Sequence, residues 1–185
     1  MNNKDKMLNG ELYNPETEEL KEKRTQCKLL CQEYNNIQYE KFEERKLLLK
    51  KILGKTKKDF FIEQPFVCDY GFNIEIGENF YSNHNLTILD PAKVTFGDNV
   101  FIGPNVGFYT AEHPLDYKTR NQLLEFAKPI KVGNNVWIGG GVTILSDVKI
   151  GNNVVIGAGS VVTKDIPDNV VITGNPARII KEIKE

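Results

Sequence analysis

His84 and His113 are the only two histidines in this chain of 185 residues. An imidazole is the side chain best suited to take up a proton near neutral pH. His113 stands in the longest interruption of an otherwise regular pattern, a loop over residues 109–129. A long segment leaving a regular scaffold is where chemistry concentrates, so His113 is the candidate general base. His84 falls inside the pattern and reads as a surface or structural residue. Cys27, Cys31 and Cys68 complete the reactive inventory. Cys27 and Cys31 lie on one face of a candidate helix and read, with Cys68, as small buried hydrophobes rather than nucleophiles.

The pattern that His113 interrupts has a period of six. Val132, Ile138, Ile144, Ile150, Ile156 and Val162 recur without a miss, and four residues after each come Val136, Val142, Val148, Val154, Ser160 and Ile166. Ile76, Ser82 and Ile88 carry the same beat earlier, and it resumes after a two-residue shift at Phe96 and Ile102. Six does not fit a helix; it is the period of a hexapeptide parallel β-helix. Each unit is a short strand and a turn, and its aliphatic residue packs on the equivalent residue one coil away. The pairs Asp98-Asn99, Asn134-Asn135 and Asn152-Asn153 supply the turn conformations. No coil buries its apolar side alone, so the stack is cooperative. Even six-residue spacing over so many units argues against an ordinary β-sandwich.

A different composition precedes the repeat. Residues 1–60 hold 25 of the 49 charged side chains but two of the 15 glycines. Asn14-Pro15-Glu16 predicts a helix start, and Leu20, Cys27, Cys31 and Tyr34 then share one face, ending at Asn35-Asn36. A second helix is expected from about Tyr39 to Leu53, with Phe42, Leu49, Ile52 and Leu53 inward and Gly54 as its C-cap. The organisation expected is a helical region over 1–60, packing on a β-helix over 61–185 that carries the 109–129 loop and a C-terminal cap. The fold class expected is mainly β, with a short α-helical N-terminal region.

Composition excludes several roles. The net charge is −1, without the basic excess of a nucleic-acid binder. No apolar run reaches the roughly 18 residues needed to span a bilayer. The start, Met1 to Lys6, lacks the apolar stretch of a secretory signal, and an odd count of three cysteines does not suggest a disulfide framework. A cytoplasmic protein with reduced thiols is expected. The Lys55, Lys57, Lys58 cluster reads as a solvated face.

The runs Val132–Gly140, Gly157–Pro167 and Gly174–Ile180 resemble the hexapeptide acyltransferases. Met7-Leu8-Asn9-Gly10-Glu11-Leu12-Tyr13, Cys68-Asp69-Tyr70-Gly71, Asn83, Asp90 and Thr110-Ala111-Glu112-His113-Pro114 narrow the resemblance to the maltose and galactoside O-acetyltransferases. It extends from about Met7 to Ile183. It implies a left-handed coil, a departure from the usual right-handed crossover. It also implies a homotrimer with active sites between subunits, and acetyl-CoA as cosubstrate. His113 is then the base that deprotonates a sugar hydroxyl, with direct transfer in a ternary complex rather than an acyl-enzyme.

Asn83 and the Gly140 backbone N–H would steady the oxyanion. Asp69, Tyr81, Asn83 and Glu125 would meet the acceptor, Glu125 orienting either His113 or the sugar. Gly140 and Ala158 would contact the pantetheine arm. Thr163, Lys164, Arg178 and Lys181 would meet the CoA phosphates. Trp137 borders the same groove or packs. No metal is implied: the hexapeptide carbonic anhydrases bind zinc through three histidines, and this chain has two. Pro15 and Pro91 stand where galactoside enzymes have acids, and Asp69 matches the maltose type, so the acceptor expected is maltose or glucose. The rivals are the same chemistry on a galactoside, an antibiotic hydroxyl or serine, and a non-catalytic β-helix scaffold.

Overall fold

The computed structural model describes residues 1–184; residue 185 of the second region lies outside it. The six-residue units assemble into a left-handed parallel β-helix with three sheet faces. Three units make one coil, because Val136 pairs in register with Val154, eighteen residues on, and Ile138 with Ile156. Each aliphatic position therefore lands on its equivalent one coil above. Val132, Ile138, Ile144, Ile150, Ile156 and Val162 are all buried, and so is Ser160. The Ser160 hydroxyl is satisfied inside the prism by the Gly157 carbonyl, 2.6 Å away. A hairpin of Val170–Gly174 and Ala177–Glu182 closes the C-terminal end.

The corners obey the turn chemistry read from the sequence. Asn99, Asn135 and Asn153 take left-handed φ values of 56°, 57° and 53°, which asparagine tolerates better than most residues. The residue before each corner stitches the stack. Asn134 Oδ1 accepts the Asp98 N–H at 2.8 Å, and Asn152 Oδ1 accepts the Asn134 N–H at 2.8 Å. Amide side chains continue the ladder from Asn79 to Asn99 and from Asn99 to Asn135.

Where the histidine loop departs, the register doubles. Val136 pairs with Val100, thirty-six residues earlier, in the same parallel sheet. The loop is closed at its base by an antiparallel pair, Ala111–Glu112 against Phe126–Ala127. The Ser146 hydroxyl bonds the Glu112 carboxylate beside it.

Three helices precede the coils, one more than periodicity predicts. α1 (Asn3–Leu8) starts where Asn2 Oδ1 accepts the Asp5 N–H at 2.7 Å. α2 (Glu18–Asn36) begins after Thr17 rather than at Asn14. The Asn14 side chain instead turns back to accept the Glu16 N–H at 2.9 Å. Its expected face, Leu20, Cys27, Cys31 and Tyr34, is buried. α3 (Phe42–Ile52) buries Leu49 and Ile52 as expected, but Phe42 is exposed and Arg45 is 2% exposed. Arg45 takes the inward place because its two terminal nitrogens find acceptors, although its Nε is buried without one. It donates to the carbonyls of Tyr39 and Ile62, and it pairs with Glu63 at 3.5 Å. Gly54 is not the C-cap; Leu53 is. Glycine is required at 54 because a Cβ there would lie 2.0 Å from the Phe72 carbonyl oxygen. α2 lies on the strand Phe66–Cys68; α2, α3 and the coils share one apolar core, and Met7 of α1 packs with Tyr13, Leu20 and Tyr70 in a separate cluster.

Candidate active site

His113 follows directly on the strand Ala111–Glu112 at the base of the loop. Its Nε2 lies 3.9 Å from Glu125 Oε1, beyond a hydrogen bond but facing the carboxylate. The other oxygen of Glu125 accepts the Tyr13 hydroxyl at 2.9 Å. Tyr13 is buried, and burial, followed by the charge of Glu125, pushes its phenol far above the ordinary range, so it stays a donor. Glu125 is thus held from behind and faces the histidine in front.

His113 and Glu125 open onto a cavity of about 320 Å³ with Asp69, Tyr70, Glu16, Arg24 and Lys28 in its wall. Asp69 pairs with Lys28 at 3.6 Å. Burial raises the Asp69 carboxyl above the ordinary range, against the pull of Lys28 and Arg24. Arg24 donates to the Pro15 carbonyl at 2.7 Å and to the Tyr70 hydroxyl at 3.2 Å, and pairs with Glu16 at 2.9 Å. Carboxylates, cations and an imidazole in one small cavity suit a polyhydroxyl ligand, which both donates and accepts.

Asp90 sits beneath this wall. One oxygen accepts the N–H groups of Asp69, at 3.0 Å, and Tyr70, at 2.9 Å. The other is buried without a partner. Burial pushes this carboxyl up to about 7, against those N–H groups.

The remaining sequence candidates lie elsewhere on the chain. Tyr81 lines a separate groove with Phe61 and Phe101. Asn83 follows the Tyr81 strand, its side chain accepting the His84 N–H at 2.7 Å, and is not in the wall of the His113 cavity. His84 is exposed, its Nδ1 on the Gln64 carbonyl at 2.6 Å. Trp137 is the register neighbour of Phe101, and both are about half exposed. Gly140 and Ala158 sit on one corner of the prism, where the Ala158 backbone closes on Gly139. Thr163, Lys164, Arg178 and Lys181 are exposed around the C-terminal coils.

Tyr13, Arg24, Lys28 and Asp90 were not identifiable as wall or support residues. α2 and the first coils bring Arg24 to Asp69 across 45 residues, and no motif marks such a meeting.

Known patterns match both ends of the chain. The maltose acetyltransferase hexapeptide capping motif matches residues 6–57, and the bacterial transferase hexapeptide, as six repeats, matches residues 129–164. The chain is therefore built as a hexapeptide transferase with a capping segment. The structure of a maltose O-acetyltransferase from Clostridium difficile 630 superposes with a TM-score of 0.99 at 49% identity, covering 100% of this chain and 99% of the other. A hexapeptide-repeat acetyltransferase from Vibrio cholerae O1 biovar eltor, complexed with acetyl-CoA, superposes with a TM-score of 0.91 at 39% identity over 100% of both chains. The galactoside O-acetyltransferase of Escherichia coli K12 is 45% identical over 95% of this chain and 87% of its own length. The chain belongs to the maltose and galactoside O-acetyltransferase family. Among the described residues no helix is long and apolar enough to cross a membrane.

Proposed function

We propose that the protein transfers an acetyl group from acetyl-CoA to a sugar hydroxyl, of the maltose or glucose type, in a ternary complex. The observation that carries this reading is the His113–Glu125 pair at the mouth of a cavity walled by Asp69, Arg24 and Lys28. A hydroxyl is a poor nucleophile until its proton is removed. His113 takes that proton, and Glu125 stabilises the imidazolium. The alkoxide attacks the thioester carbonyl, the tetrahedral intermediate collapses, and CoA thiolate leaves, taking the proton back from His113. Asp69 and its Lys28 partner hold the acceptor. Glu125 orients His113 rather than the sugar, since its second oxygen is occupied by Tyr13.

The reading includes a homotrimer. On one chain, Asn83 and Tyr81 lie outside the His113 cavity, so a site using all of them is completed by a neighbouring copy. The half-exposed Phe101 and Trp137, adjacent in register, support contact with another surface there. Asn83 and the Gly140 N–H then serve the oxyanion. Gly140 and Ala158 flank the pantetheine arm, and Thr163, Lys164, Arg178 and Lys181 meet the phosphates. The reading sets the reaction in the cytoplasm, where acetyl-CoA is available.

The test is thiol release from acetyl-CoA with glucose, maltose, a thiogalactoside, serine and chloramphenicol, beside His113→Ala. We expect release with a sugar, reduced by about 10² to 10⁴ in the variant, with unchanged thermal melting. Near-normal turnover in the variant overturns the base. Preference for serine or chloramphenicol overturns the acceptor class. The absence of both release and a CoA-induced rise in melting temperature would make the protein a scaffold.

A further inference from the structure

The three cysteines meet at one point. Cys27 Sγ lies 3.4 Å from Cys68 Sγ, and Cys31 Sγ lies 3.7 Å from it. All three sulfurs fall within 4.8 Å of one another. Cys27 and Cys31 are one turn apart on α2, and Cys68 lies on the strand beneath. Thiolate bonds of about 2.3 Å to a metal set sulfurs about 3.8 Å apart, so the two pairs that share Cys68 already stand near that spacing, and the third sulfur pair is within 4.8 Å. Among the described residues no fourth Cys, His, Asp or Glu atom joins them.

We infer that Cys27, Cys31 and Cys68 form a trithiolate site for one soft trivalent ion of the arsenite class, seated behind the acceptor cavity. Three sulfur ligands and no oxygen or nitrogen select a soft ion. The missing fourth corner disfavours tetrahedral zinc. Charge decides the valence. All three residues are under 5% exposed and sit within the apolar core, where an uncompensated charge is costly. Three thiolates around a divalent ion leave one negative charge close to Asp69 and Asp90; around a trivalent ion they leave none. The reaction balances without an oxidant. Arsenous acid, As(OH)₃, and three thiols give As(S–Cys)₃ and three waters. Three As–O bonds break, three As–S bonds form, and each thiol proton leaves in a water.

The site would act as a staple between α2 and the first coils. Cys27 precedes Lys28 and Cys68 precedes Asp69, the pair across the wall of the acceptor cavity.

The test is native mass spectrometry of the reduced full chain, refolded with arsenite or with Zn²⁺ and then desalted. We expect one arsenic per chain with three protons lost, and no retained zinc. Cys31→Ala and Cys27→Ala, each checked by thermal melting and thiol release, should weaken arsenite binding on the order of 10²-fold, as expected for removing one of three linked attachments. The wild-type mass is decisive even if a variant fails to fold, since an adduct on two sulfurs keeps one hydroxyl. No adduct, a hydroxyl-bearing adduct, binding unchanged in the variants, or zinc retained in place of arsenic overturns the inference.

Discussion

Tyr13 and Glu125 are joined three times: each backbone N–H donates to the other's carbonyl, at 2.9 and 3.0 Å, and the Tyr13 hydroxyl donates to the Glu125 carboxylate at 2.9 Å. The segment after α1 is thereby fastened to the loop that carries His113. Tyr13→Phe removes one of the three and leaves both backbone bonds. We expect kcat/KM to fall about tenfold, close to 1.4 kcal/mol, with KM for acetyl-CoA unchanged. Steady-state kinetics with the best acceptor checks this. Full activity would remove Tyr13 from the chain of support behind His113.

Asp69 faces the acceptor cavity and pairs with Lys28. Asp69→Asn keeps the shape and removes the charge. We expect KM for the sugar to rise about tenfold, again near 1.4 kcal/mol, and KM for acetyl-CoA to stay the same. A change in the acetyl-CoA term alone would place Asp69 on the donor side.

Asp90 imposes a pH dependence whose sign is fixed by its environment. Its carboxyl is raised to about 7 when folded, against an ordinary value of 3.8. Between those values the folded chain binds a proton that the unfolded chain has lost, so this group's contribution to stability falls as pH rises from about 4 to 7 and is flat above. Asp90→Asn removes that slope. Melting temperatures of both proteins across pH 4.5 to 8 should converge at the acid end and separate toward neutrality, with the variant the more stable. Parallel curves would show that Asp90 does not titrate in this window.

Gly54 lies against backbone rather than against a side chain that can move. Gly54→Ala would set a Cβ 2.0 Å from the Phe72 carbonyl oxygen and 2.8 Å from its carbon. We expect a loss of about 1–3 kcal/mol, as for overpacked cores, read from chemical denaturation. A neutral result would mean that the turn at 71–73 shifts freely.

The prism was legible because each aliphatic residue must meet its equivalent one coil on, and that demand writes a period of six directly into the chain. The corner asparagines were legible for the same reason: left-handed φ is a local requirement. Arg45 was not, because a buried cation depends on acceptors such as the Ile62 carbonyl that only the docked helix supplies. The cavity wall was half legible. His113 announces itself by its loop, whereas Arg24 and Lys28 look like any solvent-facing cations until α2 settles on the coils. Asn83 and Tyr81 were grouped with His113 by motif, and one chain keeps them apart.

The doubled interval between Val100 and Val136 gives the histidine loop a particular independence. The excursion is closed at its base by residues 111–112 and 126–127, so the chain re-enters the coil where it left it. The coil beyond the loop aligns directly on the coil before it, Val136 on Val100, with no strand of the loop between them. Loops of other lengths and chemistries can be mounted between those two short strands, and the prism below serves as a chassis whose reactivity is exchanged at a single socket.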